Sequence, residues 1–355
     1  MKKVLFIAMH RMERSPSQRF RFEQYFDFLE SKGINCVFSY IISEKDDKIL
    51  YSRGHYFSKL KIFIKSVFHR LKDLREAHMY DFVFIQREAF MTGSTYFEKR
   101  LANLKPKLFF DFDDSIWLED KSVQNKNLAF LKNPSKISSI IAMSDKVIAG
   151  NQYLADYAKS FNKNVVIIPT TIDTTHYLPK PKPLNNIITI GWSGSFSTVK
   201  HFEQCIPALL AIKLKFGDIV HFKLIGDKNY THAKLGIKGI AWQEKTELEE
   251  LGQFDIGIMP LPDNDWSRGK CGLKGLQYMG MAIPTIMSPV GVNSDIIADG
   301  VNGFLADTDQ QWIDKLSALI ESPELRHELG TKGRETVIKY YSVEANKQKY
   351  LDLFS

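Results

Sequence analysis

The chain alternates between short apolar runs and longer stretches of helical periodicity, and it does so in two series. The first series of runs is VLFIAM (4–9), INCVFSYI (34–41), DFVFIQ (81–86), KLFFDF (107–112), DKVIAG (145–150) and NVVIIP (164–169). The second is IITIGW (187–192), DIVHFKLIG (218–226), FDIGIM (254–259), IPTIM (283–287) and GFLA (303–306). Helical patterns lie between them, one of them from Ser17 to Lys32. Apolar strands that alternate with helices specify a parallel sheet covered on both faces. Between the two series stands LPKPKPLNN (178–186), whose three prolines cannot extend a helix or a central strand. At 355 residues the chain is long for one ordinary core. The expected architecture is therefore α/β, with two Rossmann-like doubly wound domains (1–178 and 187–340) facing a central cleft. The linker is 179–186. The end of the chain reads as helical from Gln310, with breaks near Ser322-Pro323 and Tyr341-Ser342. Its last stretch, 341–355, is a helix that can pack back on the first domain.

Several classes drop out. The three cysteines, Cys36, Cys205 and Cys271, are far apart and odd in number, so they form no disulfide framework and fit a cytoplasmic setting. The apolar run at 4–9 ends in His10-Arg11 and is too short for a signal peptide. No run reaches the length of a membrane span. Neither HExxH nor CxxC occurs, so no zinc site and no metal is expected.

The formal charge of +7 is one-sided. Residues 1–178 hold 28 Lys/Arg and 20 Asp/Glu, whereas 179–355 hold 20 and 21. Such asymmetry points to a polyanionic partner or an anionic membrane surface for the first half. Aromatic residues are 12% of the chain but form no RNA-binding motif, so nucleic acid is not expected. In FSKLKIFIKSVFHRLKDLREA (57–77), Leu60, Ile64, Val67, Phe68, Leu71 and Leu74 recur at helical spacing among Lys59, Lys61, Lys65, Arg70, Lys72 and Arg75. This helix suits an anionic membrane. It equally suits packing on the sheet with a basic outer face.

Four segments carry candidate chemistry. In residues 260–291, Arg268, Lys270 and Lys274 cluster with Gly269, Gly272 and Gly275 before a helical run. A glycine-rich helix start with cations suits a diphosphate; a solvated basic turn is the plainer alternative. In IGWSGSFSTVKHFEQ (190–204), Gly191, Gly194 and Ser195 follow a strand and Lys200 follows them. Gly226 closes the next strand. Glycines here let a phosphate approach the backbone. In FFDFDDSIW (109–117), Asp111, Asp113 and Asp114 end a strand. They read as turn or capping residues, as a metal-binding Asp-x-Asp, or as carboxylates orienting a substrate; we favour the last. In HRMERSPSQRFRFEQYF (10–26), Arg11, Arg14, Arg19 and Arg21 follow the first strand, and Arg87 follows the third. Arginine suits a phosphate-bearing ligand.

GLKGLQYMGMAIPTIMSPVGVNSDIIADGVNGFLA resembles the C-terminal signature of the group 1, or family 4, glycosyltransferases, which are retaining enzymes of GT-B fold. VIIPTTIDTTHY (166–177) and SDKVIAGNQYLADYAKSF (144–161) resemble earlier elements of that family, and the resemblance runs from about Ser144 to Ser342. It implies that the amides of Gly272 and Leu273 meet the donor phosphates and that Gln277 stands where a glutamate holds the ribose. The first glutamate of the family pair falls at Gly269, which leaves Lys270 and Lys274 as replacement donor-site groups. Lys200 matches the family lysine, and a small residue near Ser193 or Gly194 stands at its arginine.

The implied activity is retaining transfer of a sugar from a UDP- or GDP-sugar to an acceptor hydroxyl, in assembly of bacterial surface polysaccharide or glycolipid, with no cofactor. Lys200 and Lys274 would stabilise the leaving diphosphate, Asp113 or Asp114 would position the hydroxyl, and Arg11, Arg19 and Arg87 would bind the acceptor. The expected partners are the nucleotide-sugar and a glycan or lipid-linked acceptor, with peripheral contact to the inner face of the membrane. A non-catalytic binding subunit and a metal-dependent transferase using Asp111 and Asp113 stay open.

Overall fold

The computed structural model describes residues 1–118, 133, 135–181 and 187–355. The chain forms two units, Met1–Pro169 with Lys347–Ser355, and Thr170–Asn346. Residues 182–186 of the proline-rich segment lie outside the described residues.

The first unit holds β1 (Lys2–His10), β2 (Ile34–Ile42), β3 (Phe82–Gln86), β4 (Lys107–Phe112), β5 (Lys146–Ala149) and β6 (Val165–Ile167). They make one parallel sheet in the order β2-β1-β3-β4-β5-β6. Every residue of β3 is buried, which is why these strands are unbroken apolar runs. The chain order reverses between β1 and β3, and ligands of such sheets bind beyond the strand carboxyl ends at that point. Phe6 of β1 packs against Phe22 and Phe84 with ring centroids 5.4 and 5.1 Å apart. The last residues of the chain close this core. Phe354 meets Phe82 at 5.5 Å, and Tyr350 stacks on Tyr25 at 4.0 Å.

The helix expected over 17–32 is instead three short pieces, Pro16–Arg19, Glu23–Tyr25 and Phe26–Ser31. Between the first two, Arg21 is buried, forks onto both oxygens of Asp111 and donates to the Ile168 carbonyl. Helix Tyr56–Glu76 also differs from its expected packing. Its buried residues are Ile62, Ser66, Arg70 and Asp73. Arg70, counted above with the outer basic face, is 1% exposed. It donates to the carbonyls of Ala8 and Ala89, to Ser39 and to Asp73. The apolar side chains Phe57, Leu60, Ile64 and Phe68 face solvent instead.

The second unit holds β7 (Ile188–Ser193), β8 (Val220–Ile225), β9 (Thr231–His232), β10 (Ile237–Lys238), β11 (Ile256–Met259), β12 (Thr285–Met287) and β13 (Phe304–Leu305). Its five-stranded sheet runs β13-β12-β11-β7-β8, all parallel, with the chain order reversing between β7 and β11. The β9–β10 hairpin has two residues per strand and leaves no pattern in sequence. Thr170–Leu178, given to the first domain by the sequence reading, clusters with this unit. Arg334 donates to the carbonyls of Thr174 and Tyr177, and Ile172 bridges to Ser342.

Candidate active site

In the second unit, helix Leu273–Gly280 starts beside the end of β7. Tyr278 is buried, and its hydroxyl bonds both the amide and the hydroxyl of Ser193 at 2.8 Å. Glycines bring this helix close to the sheet: a Cβ at Gly275 would collide with Met287, and one at Gly257 with the Tyr278 ring. Gly272 precedes the helix at φ +69°, a left-handed conformation that a side chain would strain, and no side chain caps the helix. The first-turn amides have no intrahelical acceptor. They carry the positive end of the helix dipole.

Lysines gather at this helix start. The Lys274 ammonium lies 5.5 Å from the Trp192 ring centroid, at the end of β7. That of Lys270 lies 4.9 Å from Trp266. Lys200 comes from helix Val199–Glu203, which follows the β7 loop. All three act on His201, whose pKa is lowered to about 4 by burial first and then by Lys274, Lys270 and Lys200. The loops after β7 and β8 touch backbone to backbone. Gly226, at φ +126°, has no room for a Cβ against the Gly194 carbonyl, and the Gly194 amide donates to Ile225 at 2.9 Å. Ser195 is exposed beside them, bonded to Ser197 at 2.9 Å. The structure thus brings Lys200, Lys270, Gly272, Leu273 and Lys274 to one helix start, with Gly194, Ser195 and Gly226 in the loops after β7 and β8.

Three other expected donor residues have different surroundings. Gly191 lies within β7, where a Cβ would strike the Phe254 ring, so packing accounts for it. Arg268 forks onto Asp263 at 2.7 and 3.1 Å in an exposed turn. Gln277 is 5% exposed and donates to the Tyr177 hydroxyl at 3.1 Å and to Glu247 at 3.2 Å. Glu247 also accepts from Trp242 and Tyr177, so the amide stands in a closed internal network. A cavity lined by Lys180, Met281, His327 and Arg334 sits beside Ile283, before β12 begins, and so at the amino ends of the strands.

In the first unit, a second constellation occupies the carboxyl ends of β1, β3 and β4. Arg87 follows β3 at φ +63°, a strained conformation for a non-glycine residue. Its guanidinium meets Asp113 at 2.8 Å and Asp114 at 3.6 Å. Arg11 and Arg14 both reach Asp47, at 3.5 and 2.6 Å. His10, the last residue of β1, bonds the Tyr51 hydroxyl at 2.8 Å. Its pKa is lowered to about 4 by burial, then by Arg14, Arg11 and Arg87 against the opposing pull of Asp47. Arg11, Arg87, Asp113 and Asp114 thus lie at one sheet edge. Arg19 is turned over the Phe20 ring, 5.0 Å away. Asp111 and Arg21 are buried against each other and form part of the core. That corrects Arg21 as a ligand-facing arginine and leaves Asp111 a poor metal ligand.

His10, Tyr51 and Asp47 in the first unit, and His201, Trp192 and Glu247 in the second, were not singled out from sequence. The usable signal was position: His10 ends a strand and His201 follows Lys200.

Residues 187–322 match the family model described as "Glycosyl transferases group 1". The chain is 38% identical over 238 residues to a poly(ribitol-phosphate) alpha-N-acetylglucosaminyltransferase of Staphylococcus aureus, covering 63% of this chain and 45% of that protein. It is 26% identical over 208 residues to an uncharacterized glycosyltransferase of Methanocaldococcus jannaschii, covering 56% of each. The chain spans about half the length of these curated relatives. Among solved structures it superposes on sucrose-phosphate synthase from Thermosynechococcus elongatus with a TM-score of 0.73 at 14% identity, covering 100% and 98% of the two chains. HepE from Anabaena, in complex with UDP and glucose, gives 0.70 at 14%, covering 99% of both. The second unit is thus similar to the group 1 glycosyl transferases, and the fold of the chain is GT-B.

Proposed function

We propose that the protein transfers a sugar from a nucleoside diphosphate sugar to an acceptor hydroxyl, with retention at the anomeric carbon. The observation that carries this is the convergence of Lys200, Lys270 and Lys274 at the uncapped start of helix Leu273–Gly280. As the glycosidic bond breaks, negative charge grows on the departing diphosphate. Fixed cations and amides at that point stabilise the transition state more than the ground state. Asp113, held by Arg87, is the group we assign to the incoming hydroxyl. Lys274→Ala should lower transfer from a UDP- or GDP-sugar about 10²- to 10³-fold; unchanged turnover would remove the residue from the site.

The acceptor reading is a glycan or lipid-linked molecule carrying phosphate, in bacterial surface polysaccharide or glycolipid assembly. Two observations support it: the arginines Arg11, Arg14 and Arg87 at the carboxyl ends of the strands, and the similarity to an enzyme named for poly(ribitol-phosphate). We further propose that helix Tyr56–Glu76 rests on an anionic membrane, which places the protein peripherally on the cytoplasmic face. Phe57 is 85% exposed and Phe68 64%, with Lys61 and Lys65 also exposed on the same helix. No helix among the described residues is long and apolar enough to cross a membrane. A metal-dependent route through Asp111 and Asp113 is disfavoured because Arg21 occupies both Asp111 oxygens.

A further inference from the structure

Helix Glu44–Leu50 is fastened to the end of β1 by polar contacts. None of its side chains is buried. Its ties to the rest of the first unit run from Asp46 to Lys65 at 2.6 Å, from Asp47 to Arg14 and Arg11, and, one residue past its end, from the Tyr51 hydroxyl to His10 at 2.8 Å. A segment that buries no whole side chain belongs to the part of a fold that opens locally at low cost. The Asp47 contact has the geometry of a bound ligand. The Arg14 guanidinium forks onto it, Nε to one oxygen at 2.6 Å and Nη2 to the other at 3.3 Å, and Arg11 adds a longer contact at 3.5 Å. Among the described residues no other carboxylate pairs with either arginine. Two guanidinium groups therefore share one unit of negative charge. A phosphate monoester presents the same pair of oxygens with up to twice that charge. The Arg11 and Arg14 side chains are 33% and 36% exposed, against 12% for Asp47, so a ligand reaches the guanidinium groups while Asp47 is still in place.

We propose that Arg11 and Arg14 form a phosphate site for the acceptor, that Asp47 fills this site in the resting protein, and that an arriving phosphate displaces Asp47 and frees helix Glu44–Leu50. This rests on the acceptor reading above and adds a resident competitor to it. The carboxylate keeps the two arginines oriented and prevents them from repelling each other while the site has no ligand. It also sets a threshold. A neutral hydroxyl compound offers nothing that outbids Asp47, whereas a dianionic phosphate does, so the phosphate is selected and the helix opens only for it.

The test uses the full chain and glycerol phosphate, with glycerol as the uncharged control and ionic strength matched with sodium chloride, because salt alone screens the ion pair. Affinity is read by phosphorus NMR and local opening by hydrogen exchange over 44–51, in native protein, Asp47→Asn and Arg14→Gln. We expect glycerol phosphate to raise exchange over 44–51 in native protein, and glycerol to leave it unchanged. Both substitutions should raise exchange without ligand, since each breaks the same pair. They should move affinity in opposite directions. Asp47→Asn should bind about 2- to 10-fold more tightly, because the competitor is gone, and Arg14→Gln about 10-fold more weakly. An ion pair that only braces the helix would give the two variants the same affinity, and binding at other cationic places is common to all three proteins. Equal affinity of native protein and Asp47→Asn, or exchange over 44–51 that ignores saturating glycerol phosphate, overturns the proposal. So does the absence of binding by all three proteins. Nucleotide release from a panel of sugar nucleotides, measured on the same native preparation without acceptor, reports separately on the transferase reading: no release would overturn that reading, whatever the phosphate result.

Discussion

The Lys274 ammonium sits 5.5 Å from the centroid of the Trp192 indole, which joins the start of one helix to the end of β7. The ring face attracts the cation and helps hold it in place before any ligand arrives. Replacing Lys274 with Ala should lower turnover about 10²- to 10³-fold, as expected for loss of one group that meets developing charge. The fold should persist, because Tyr278 still anchors the helix to Ser193. Initial rates and a thermal melt on the same preparation separate the two effects.

Arg21 and Asp111 should matter for stability and little for chemistry. Both are fully buried, and removing one leaves the other charged without a partner. Arg21→Met should cost about 3–5 kcal/mol, read by urea denaturation. Full activity in excess chelator should accompany it in the native protein. Chelator-sensitive turnover restored by a divalent ion would return Asp111 and Asp113 to the metal reading.

His10 supplies a pH signature. The folded protein keeps this ring neutral to about pH 4, while the unfolded chain protonates it near 6.5. Between those values the unfolded state binds more protons, so stability falls as pH falls. His10→Asn should flatten the stability profile between pH 6.5 and 4 relative to the native protein. Parallel profiles would show that the ring titrates normally.

The exposed face of helix Tyr56–Glu76 gives a binding prediction. Sedimentation with anionic vesicles should bring the protein down at low salt and less so at high salt. Phe57→Ser with Phe68→Ser should weaken binding at every salt concentration, because both rings are exposed and apolar. Vesicle binding that ignores both salt and these substitutions would assign the face to another partner.

The sheets were legible because buried parallel strands are unbroken apolar runs: KLFFDF at 107–112 coincides with β4. The helices facing polar cores were not. Hydrophobic spacing at 57–77 suggests an apolar inner face, but Ser39, Arg70 and Asp73 form a hydrogen-bonded core beneath the helix. That arrangement requires the helix and β2 to meet, which no local pattern records. The same holds for Arg21 and Asp111, ninety residues apart. At the candidate donor site, residue type and motif pointed to Lys200, Lys270 and Lys274. Their convergence on His201 needed the fold, as did the pairing of Arg268 with Asp263 and the enclosure of Gln277.

The central claim is that the second unit binds a nucleoside diphosphate sugar and the chain cleaves it. Incubating the pure protein with a panel of UDP-, GDP- and CMP-sugars and measuring nucleotide release tests it most directly. Slow release of UDP or GDP from at least one sugar is expected, faster with acceptor, and about 10²- to 10³-fold slower in Lys274→Ala. No release from any member, with or without acceptor-bearing membrane extract, would contradict it and favour a non-catalytic binding subunit.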